Sequence, residues 1–366
     1  MTQKTILFGV LNWGLGHASR SIPIIRSLIA NPAFKVILAA DGDAYDLISQ
    51  EFPNLQIVRV EDVRVRYKSG KWLPFGMLAT GMKLLVRNRK EHRQVSKLVE
   101  NLEVDLIISD NRYGFWNSGC DNVLITHQLT LLPPRRFAFM EFLFKRLVRN
   151  RLSPFDEVWV PDFEEEPGHA GKLSHQHGAH PKIRYIGLLS RYAKEMTADG
   201  ERLPLVALVS GPMPFRKQLA AKLIQIAEAN ATPLLLYTNN IQWEAQGGFV
   251  KVCQNASFED LNRALNRAEM VVANAGYTTI MDLIALEKKA VLIPTPGQTE
   301  QEYLAETNRN NPSFDFLPFD ELHQLIERVG RLSMRAGDEN LPLGDPHNSI
   351  SFAEFIGEGL NFTKND

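Results

Sequence analysis

The sequence predicts an α/β protein with two doubly wound domains, each built on a parallel sheet and facing the other across a cleft. Short apolar runs bounded by turn residues recur along the chain of 366 residues. Segments with helical periodicity, such as Ala18–Ala30 and Arg216–Asn230, lie between many of these runs. Strands that are apolar on both faces and alternate with helices are typical of parallel sheets covered by helices on both sides.

The apolar runs fall into two groups, and they are too many for one compact sheet. The runs of the first half are TILFGV, FKVILAA, LQIVRV, DLIISD, NVLITH and EVWVP, and those of the second half are IRYIG, LVALVSG, PLLLYT, MVVANA and AVLIPT. The stretch 161–181 between them is rich in proline, glycine and charge. The sequence therefore predicts a first domain at 1–163, a linker at 164–182, a second domain at 183–342 and a C-terminal tail or helix at 343–366.

Composition argues against several classes of protein. The chain has 41 Lys and Arg against 42 Asp and Glu, a net charge of −1, so no overall field attracts nucleic acid. Cys120, Cys253 and the histidines of 161–181 match no disulfide framework or standard zinc spacing, and we expect no metal site. The N-terminal segment lacks the pattern of a signal peptide, and no apolar stretch of about eighteen residues occurs. We expect a cytoplasmic protein, with peripheral contact to the inner face of a membrane left open.

The stretch NWGLGHASR at 12–20 follows directly on a predicted strand. Gly14 and Gly16 allow a turn with positive φ, and the helix behind them would present free N–H groups to an anion. His17, at the start of that helix, has a side chain suited to proton transfer near neutral pH, or it caps the turn by hydrogen bonds. The spacing is close to a dinucleotide fingerprint, but Ser19 stands where the third glycine belongs. A nicotinamide-dependent dehydrogenase therefore stays an outside alternative.

A second turn with binding chemistry lies in NAGYTTIMD, where a strand that ends at Asn274 meets a helix through Gly276. Thr278 and Thr279 would offer hydroxyl and main-chain N–H groups at the helix N-terminus, which suits a diphosphate. Asp282 lies one turn further on, where a carboxylate can accept hydrogen bonds from two ribose hydroxyls.

A cluster of amides and carboxylates follows the run AVLIPT. Such a cluster at the carboxyl end of a strand suits a polyhydroxylated ligand. Its members are Gln298, Glu300, Gln301 and Glu302.

The run LVALVSG leads through Ser210 and Gly211 into a helix with Arg216 in its first turn. A cation in the first turn is unfavourable for the helix itself, and it makes sense if the guanidinium reaches a phosphate. A surface arginine tolerated at small cost is the other interpretation.

The motif GLGH at 14–17 and the later motif from Asn274 to Tyr303 resemble glycosyltransferases of the GT-B fold. A bacterial set of predicted glycosyltransferases shares four motifs with this chain, GLGH, THQ at 126–128, SGP at 210–212 and PGQTEQ at 296–301. The resemblance is strongest to the branch with the peptidoglycan lipid-intermediate N-acetylglucosaminyltransferase and the monogalactosyldiacylglycerol synthases. It extends over most of the chain in domain order and is motif-specific at these four places.

This resemblance implies two Rossmann-like domains, with a nucleotide-sugar, usually a UDP-sugar, on the C-terminal domain and the acceptor on the N-terminal one. It implies that Asp282 takes the place of the family's ribose-binding carboxylate, usually glutamate. Gln301 and Glu302 take the places where adjacent glutamines contact the donor sugar, and Ser210-Gly211 replaces a fuller glycine loop. The family needs no metal, and the nucleotide-sugar is a co-substrate and not a resident cofactor.

The resemblance also implies a role for His17 beside the acceptor. A base there would deprotonate the acceptor hydroxyl for a displacement that inverts the anomeric centre. Helix N-termini and Arg216 would stabilise the departing diphosphate. His127 and Asp110, each at the end of a predicted strand, are candidates to assist. A hydrogen bond from His17 to the donor is the alternative role.

Two apolar and basic segments of the first domain, 72–90 and 135–151, have the composition of helices that lie on an anionic membrane. The second segment places on one helical face Phe137, Met140, Leu143, Phe144, Leu147 and Val148. A core helix with snorkelling Arg and Lys side chains explains either segment taken alone. Together they suggest a lipid-linked or membrane glycan acceptor.

Two alternatives to a transferase stay open from the sequence. An enzyme of the same fold could pass the sugar to water or epimerise it, and it would release free sugar without an acceptor. A non-catalytic nucleotide-sugar sensor would keep its function after His17→Ala.

Overall fold

The structure, a computed structural model, describes residues 3–12, 15–61, 73–130, 141–175, 182–195, 202–239, 248–254 and 256–335. Of residues 73–87, 141, 143 and 144 it describes the backbone only. The chain divides into two compact units.

The first unit comprises the described residues up to Gly168 and those from Lys172 to Leu189. Its sheet has only parallel pairs, in the order β3-β2-β1-β4-β5-β6-β7. The strands are β1 (Lys4–Val10), β2 (Phe34–Ala40), β3 (Ile57–Arg59), β4 (Leu106–Asp110), β5 (Asp121–Ile125), β6 (Glu157–Val160) and β7 (Ile183–Tyr185). The described helices are α1 (Leu15–Ala30), α2 (Gly42–Glu51), α3 (Leu73–Leu102) and α4 (Glu141–Leu152).

The central strands β1 and β4 are buried almost from end to end, as continuous apolar runs in a doubly covered sheet should be. Gly9 in β1 is required by packing, because a Cβ built on it would lie 2.6 Å from the ring of Phe115. Phe115 is fully buried, so that ring has no free space to move into.

The second unit comprises the described residues 190–335 together with 169–171. Its parallel sheet has the order β10-β9-β8-β11-β12-β13. The strands are β8 (Leu203–Leu208), β9 (Leu234–Tyr237), β10 (Val250–Cys253), β11 (Ala268–Asn274), β12 (Ala290–Ile293) and β13 (Phe314–Phe316). The described helices are α5 (Phe215–Ala229), α6 (Phe258–Arg267), α7 (Tyr277–Ala285), α8 (Thr299–Thr307) and α9 (Leu325–Met334). One face of this sheet packs with α5 and α9 into an apolar core.

The predicted fold class is confirmed, since each unit is a parallel sheet with helices between its strands. Every apolar run predicted as a strand overlaps an observed one. The structure adds β10 and β13, which form the two edges of the second sheet.

The predicted start of the second domain at residue 183 needs correction. Strand β7 pairs with β6 and completes the first sheet, and the division of the chain falls after Leu189. The polar stretch 164–182 is therefore a connection between two neighbouring strands of one sheet. Composition marks a loop there, but it does not tell which sheet the next strand joins. The tail at 343–366 lies outside the described residues.

No helix in the described parts of the chain is both long and apolar enough to cross a membrane.

Candidate active site

The carboxyl edge of the first sheet brings together side chains that are far apart in sequence. Strands β1, β4 and β5 are neighbours, and the chain continues from β1 into α1. This arrangement places His17 of α1, Asp110 at the end of β4 and His127 just after β5 in one group. Arg20 and Ser21 of α1 complete it. We call these five residues the His17 cluster.

Asp110 is the centre of the His17 cluster. Its side chain is fully buried, and both carboxylate oxygens accept hydrogen bonds from Arg20 Nε, each at 3.1 Å. Arg20 Nη2 also contacts Oδ1, and the Ser21 hydroxyl donates to Oδ2 at 2.9 Å. Burial alone would raise the pKa of Asp110, but the charge of Arg20 and the neighbouring His17 hold it well below its usual range. Asp110 is therefore a carboxylate.

His17 lies against this carboxylate, with Nδ1 at 3.2 Å from Asp110 Oδ1. Burial lowers the pKa of His17 and the nearby Arg20 lowers it further, against the opposing effect of Asp110. His17 is therefore neutral near pH 7. Since a carboxylate only accepts, Nδ1 carries the proton, and Nε2 keeps a lone pair that can take a proton from a ligand.

One glycine of the predicted first turn is part of a helix. Gly16 lies inside α1 with the helical backbone, and it is not among the residues with positive φ. The predicted use of its positive φ is therefore wrong, because the helix begins earlier, at Leu15. Gly14 lies outside the described residues. The early start of α1 puts His17 in its first turn.

The carboxyl edge of the second sheet carries a hydrogen-bonded set of loops. Asn274 ends β11, and its Oδ1 accepts from the main-chain N–H of Ser210 at 3.1 Å while its Nδ2 faces Thr295 Oγ1 at 3.4 Å. Buried Asn274 thus holds together the loops that follow β8, β11 and β12. These loops and the helices α5, α7 and α8 that follow them contain most of the residues predicted to bind a donor.

Several side chains of the cluster after β12 form hydrogen bonds within their own loop. Gln301 accepts from the N–H of Thr295 at 2.8 Å and donates to Gln298 Oε1 at 2.6 Å. Glu302 accepts from the N–H of Gly297 at 3.0 Å, and Gly297 has a φ of +81°. Glu300 lies in the first turn of α8. The predicted contacts of Gln298, Glu300, Gln301 and Glu302 with a sugar stay predictions.

Arg216 makes structural hydrogen bonds in its observed position. Its Nε donates to the carbonyl of Gly211 at 2.8 Å and its Nη1 to the carbonyl of Asn239 at 3.0 Å. These bonds tie the loop after β8 to the loop after β9, which accounts for a cation in the first turn of α5. Phosphate binding by Arg216 stays a prediction, as it does for Ser210 and Gly211.

Helix α7 begins at Tyr277 with Gly276 as its cap residue, and it positions three predicted ligand-binding side chains. Thr278 and Thr279 lie partly exposed in its first turn. Asp282, on the next turn, accepts a hydrogen bond of 2.7 Å from the hydroxyl of Ser190. Burial raises the pKa of Asp282 to about 7, although Ser190 and Arg191 lower it in part.

Sequence reasoning missed Arg20, Ser21 and Ser190. Arg20 and Ser21 lie three and four positions after His17, on the same helical face, and that spacing was a usable signal. Ser190 carries no such signal, because its distance to Asp282 is set by the fold.

The basic helix α4 has one buried and one exposed side. Val148 and Leu152 belong to an apolar core of the first unit, so the predicted apolar face is in part a core face. Phe142 is 77% exposed, and the other exposed side chains at its helical spacing are Lys145, Arg146 and Arg149. Phe137 and Met140 lie outside the described residues, as do the side chains of Leu143 and Phe144 and most of those in 72–90.

Family models match two segments of the chain. Residues 220–332 match the glycosyltransferase family 28 C-terminal domain, and residues 4–118 match glycosyl transferase family 1. Among proteins of curated function, none is similar enough in sequence to match.

Solved structures resemble the whole chain. The glycotransferase of kitacinnamycin is 13% identical, with 97% of this chain and 96% of that chain covered and a TM-score of 0.66. MurG of Acinetobacter baumannii is 13% identical, with 98% and 100% covered and a TM-score of 0.59. The spinosyn rhamnosyltransferase SpnG complexed with thymidine diphosphate is 13% identical, with 97% and 95% covered and a TM-score of 0.60, and SpnG is also solved with spinosyn aglycone. With two parallel-sheet units and these matches, the chain has the GT-B fold of two Rossmann-like domains.

Proposed function

We propose that this protein transfers a sugar from a nucleoside diphosphate sugar to a hydroxyl acceptor, with inversion and without a metal. The observation that carries the proposal is the contact of 3.2 Å between His17 Nδ1 and the Asp110 carboxylate at the carboxyl edge of the first sheet, where burial lowers the pKa of the imidazole. A UDP-sugar is the first donor to try, on the resemblance to the lipid-intermediate branch. SpnG was solved with thymidine diphosphate, so TDP-sugars are the second.

In the proposed reaction, His17 Nε2 takes the proton from the acceptor hydroxyl as its oxygen attacks the anomeric carbon. The bond from that carbon to the diphosphate oxygen breaks, and the nucleoside diphosphate leaves with the electron pair. Asp110 keeps Nδ1 protonated and stabilises the imidazolium that forms. The fixed charge of Arg20 limits that stabilisation and keeps the resting imidazole neutral.

The donor would bind at the carboxyl edge of the second sheet. Thr278 and Thr279 supply hydroxyl and N–H groups at the start of α7, where the helix dipole favours a diphosphate. Asp282, one turn on, would accept from ribose hydroxyls. Its bond from Ser190 occupies Oδ1 and favours one orientation of the carboxyl group.

A thermal-shift screen of nucleotide-sugars tests the donor site. A ligand at about 100 times its Kd should stabilise the wild type by about 2.7 kcal/mol. Asp282→Ala should lose this shift, while Glu269→Ala, an exposed acid of β11, should keep it. If no nucleotide-sugar shifts the wild type at saturation, the proposal is wrong.

The product then decides between the possible reactions. With the donor found, a transferase releases nucleoside diphosphate only when an acceptor is supplied, and the new glycosidic bond has the inverted configuration. Free sugar without acceptor indicates a hydrolase or epimerase. Donor binding without any turnover, unchanged by His17→Ala, indicates a sensor.

We also propose an acceptor at a membrane surface, supported by the exposed Phe142 among the cations of α4. Each Lys or Arg near an anionic surface adds about 1 kcal/mol. Liposome co-sedimentation of Lys145→Glu/Arg149→Glu should therefore show binding at least about tenfold weaker than the wild type. Arg309→Glu/Arg335→Glu, a matched change of exposed cations in the second unit, should bind as the wild type does. Equal binding of both variants would refute this contact.

A further inference from the structure

We propose that Arg112 is a positioning residue for His17. Its guanidinium fixes the end of β1, from which the chain turns into α1, and the buried carboxylate of Glu91 orients that guanidinium. Arg112 does not belong to the His17 cluster, and it acts on the cluster through the main chain of β1. The effect on catalysis rests on the proposed function, whereas the effect on the place of His17 does not.

Arg112 lies in a tight turn directly after β4. Asn111 makes this turn with a φ of +55°, a left-handed conformation that asparagine adopts more readily than most residues. The hydroxyl of Ser109 closes the turn by donating to the carbonyl of Arg112 at 2.8 Å. The arginine side chain is buried, so the turn places a cation inside the protein at the carboxyl edge of the first sheet.

The guanidinium of Arg112 holds the ends of two strands. Nη1 donates to the carbonyl of Val10, the last residue of β1, at 3.2 Å, and Nη2 donates to the carbonyl of Val60, directly after β3, at 3.3 Å. Val10 pairs with Asp110 in the sheet, so the anchored carbonyl lies beside the residue whose carboxylate contacts His17. A fixed end of β1 therefore limits where the first turn of α1 can lie, and with it the ring of His17.

Glu91 of α3 directs this arrangement. Its Oε1 accepts from Arg112 Nε at 2.6 Å, and the two side chains are 3% and 0% exposed. The planar fork of Arg112 is thus used in three directions, towards one carboxylate and two carbonyls. Lysine carries its donors on a single nitrogen and does not span these three acceptors.

The Arg112–Glu91 pair can be removed as a unit. Two buried charges repay the cost of leaving water only when their remaining polar atoms are also satisfied. Glu91 Oε2 is buried and accepts no hydrogen bond from the part of the chain that the structure describes. We therefore expect Arg112→Met/Glu91→Leu to unfold at a higher denaturant concentration than Arg112→Met, which leaves the charge of Glu91 unpaired. The double variant takes away the donors to Val10 and Val60 and leaves the net charge unchanged.

An NMR titration of the histidines in the full-length protein tests the place of His17 without any substrate, with His17→Gln to identify its signals. Burial is the main cause that lowers the pKa of His17 in the wild type. A displaced first turn of α1 exposes the ring, so the titration midpoint in Arg112→Met/Glu91→Leu should rise towards 6.5. Val95→Ala removes buried apolar volume one turn after Glu91 in α3 and no side-chain hydrogen bond, so its midpoint should equal that of the wild type.

A folded double variant with an unchanged midpoint, or Val95→Ala with an equal rise, would overturn the proposal. If the double variant does not fold, Arg112→Lys provides the second test, because it keeps the charge beside Glu91 and lacks the fork. Its midpoint should rise as well, and an unchanged midpoint would contradict the assigned role. Failure of both variants to fold would show that Arg112 is required for the fold itself and would also overturn the proposal.

Kinetics test the consequence for catalysis once donor and acceptor are known. A misplacement of about 1 Å can cost about 100-fold in rate, so kcat of the folded Arg112 variants should fall by about that factor. KM for the donor should change little, because the donor is assigned to the second unit. Val95→Ala should keep the wild-type kcat, and an equal loss in that variant would refute the positioning role. If no nucleotide-sugar binds and the midpoint of His17 still rises, the proposed function fails and the place of His17 stays assigned to Arg112.

Discussion

His17 and Asp282 are two titratable side chains whose pKa values are shifted by their environments. Both shifts affect the charge of the side chain near neutral pH. Burial and Arg20 lower the pKa of His17, and burial raises the pKa of Asp282 to about 7. The first shift keeps the proposed base neutral, and the second makes the proposed ribose-binding carboxylate lose its charge in mild acid. Each shift gives a testable pH dependence.

The loss of activity at low pH should reveal the pKa of His17. A general base works when it is deprotonated, and the pKa of His17 lies below its ordinary 6.5. We therefore expect kcat, measured at saturating donor and acceptor so that the free Asp282 does not contribute, to fall in acid with a midpoint below pH 6.5. His323→Gln, a change of an exposed histidine in the second unit, should leave this midpoint unchanged. A midpoint above 6.5 would show that the carboxylate dominates the environment of the ring.

The pH dependence of the free energy of unfolding should reveal the raised pKa of Asp282. Its pKa is about 7 in the fold against 3.8 in the unfolded chain, so between these values the folded state binds more protons. The free energy of unfolding of the wild type therefore decreases as pH rises through that window. Asp282→Asn lacks this dependence while it keeps an acceptor for Ser190, so its advantage over the wild type should grow from pH 4 to pH 7 and then level off. Denaturant unfolding measures it, with the exposed Asp320→Asn as the control that shows no such trend.

The sequence reveals individual site residues better than it reveals their partners. His17, Asp110 and His127 are each marked by a position at a strand end or helix start, where parallel folds carry ligands. The sharing of Arg20 among them depends on the order in which β1, β4 and β5 pair. That order is a property of the whole sheet, and no local pattern contains it.

At the scale of elements, β1 and α1 set the position of the site, and their packing tolerates little change. Gly9 leaves room for the ring of Phe115 beside β1, where a Cβ would lie 2.6 Å from it. Predicted strands agree with observed ones where the strand is apolar on both faces. Strand β10 is partly exposed along its length, and β13 has the charged Asp315 at its centre, so neither forms the continuous apolar run used for prediction.

Gly9→Ala should destabilise the protein. The new Cβ would lie 2.6 Å from a fully buried ring, and overpacking of this kind costs about 1–3 kcal/mol. Gly330→Ala in α9 is the matched control, because nothing lies within 4 Å of its Cβ and a helical alanine gains about 0.5–1 kcal/mol over glycine. Chemical denaturation measures both. Equal free energies of unfolding for the two variants would show that the β1 packing adapts.

At the scale of the whole molecule, the chain contains two units with separate apolar cores. The sequence predicts this division from the number of strands, and it misplaces β7 because a loop composition does not specify a sheet. Separate cores favour separate unfolding transitions. Four of the five tryptophans occur before residue 168, so their fluorescence follows mainly the first unit.

A nucleotide-sugar should therefore raise the midpoint temperature of one calorimetric unfolding transition. It should leave the midpoint temperature detected by tryptophan fluorescence nearly unchanged. The reason is that ligand binding stabilises the unit that holds the ligand, and the donor is assigned to the second unit. Differential scanning calorimetry and fluorescence on the same samples measure the two shifts. A single transition that moves as a whole in both signals would show that the units unfold together.

The His17 cluster also bears on how the chain is made. Arg20 and Asp110 are 90 positions apart, so during synthesis α1 emerges long before its counter-charge. Until β4 follows, the helix that carries Arg20 cannot be buried without an unpaired cation, and its apolar face stays open to chaperones and proteases. A truncated product that stops short of Asp110 should be cleared quickly, whereas one that extends past His127 already holds every residue of the cluster.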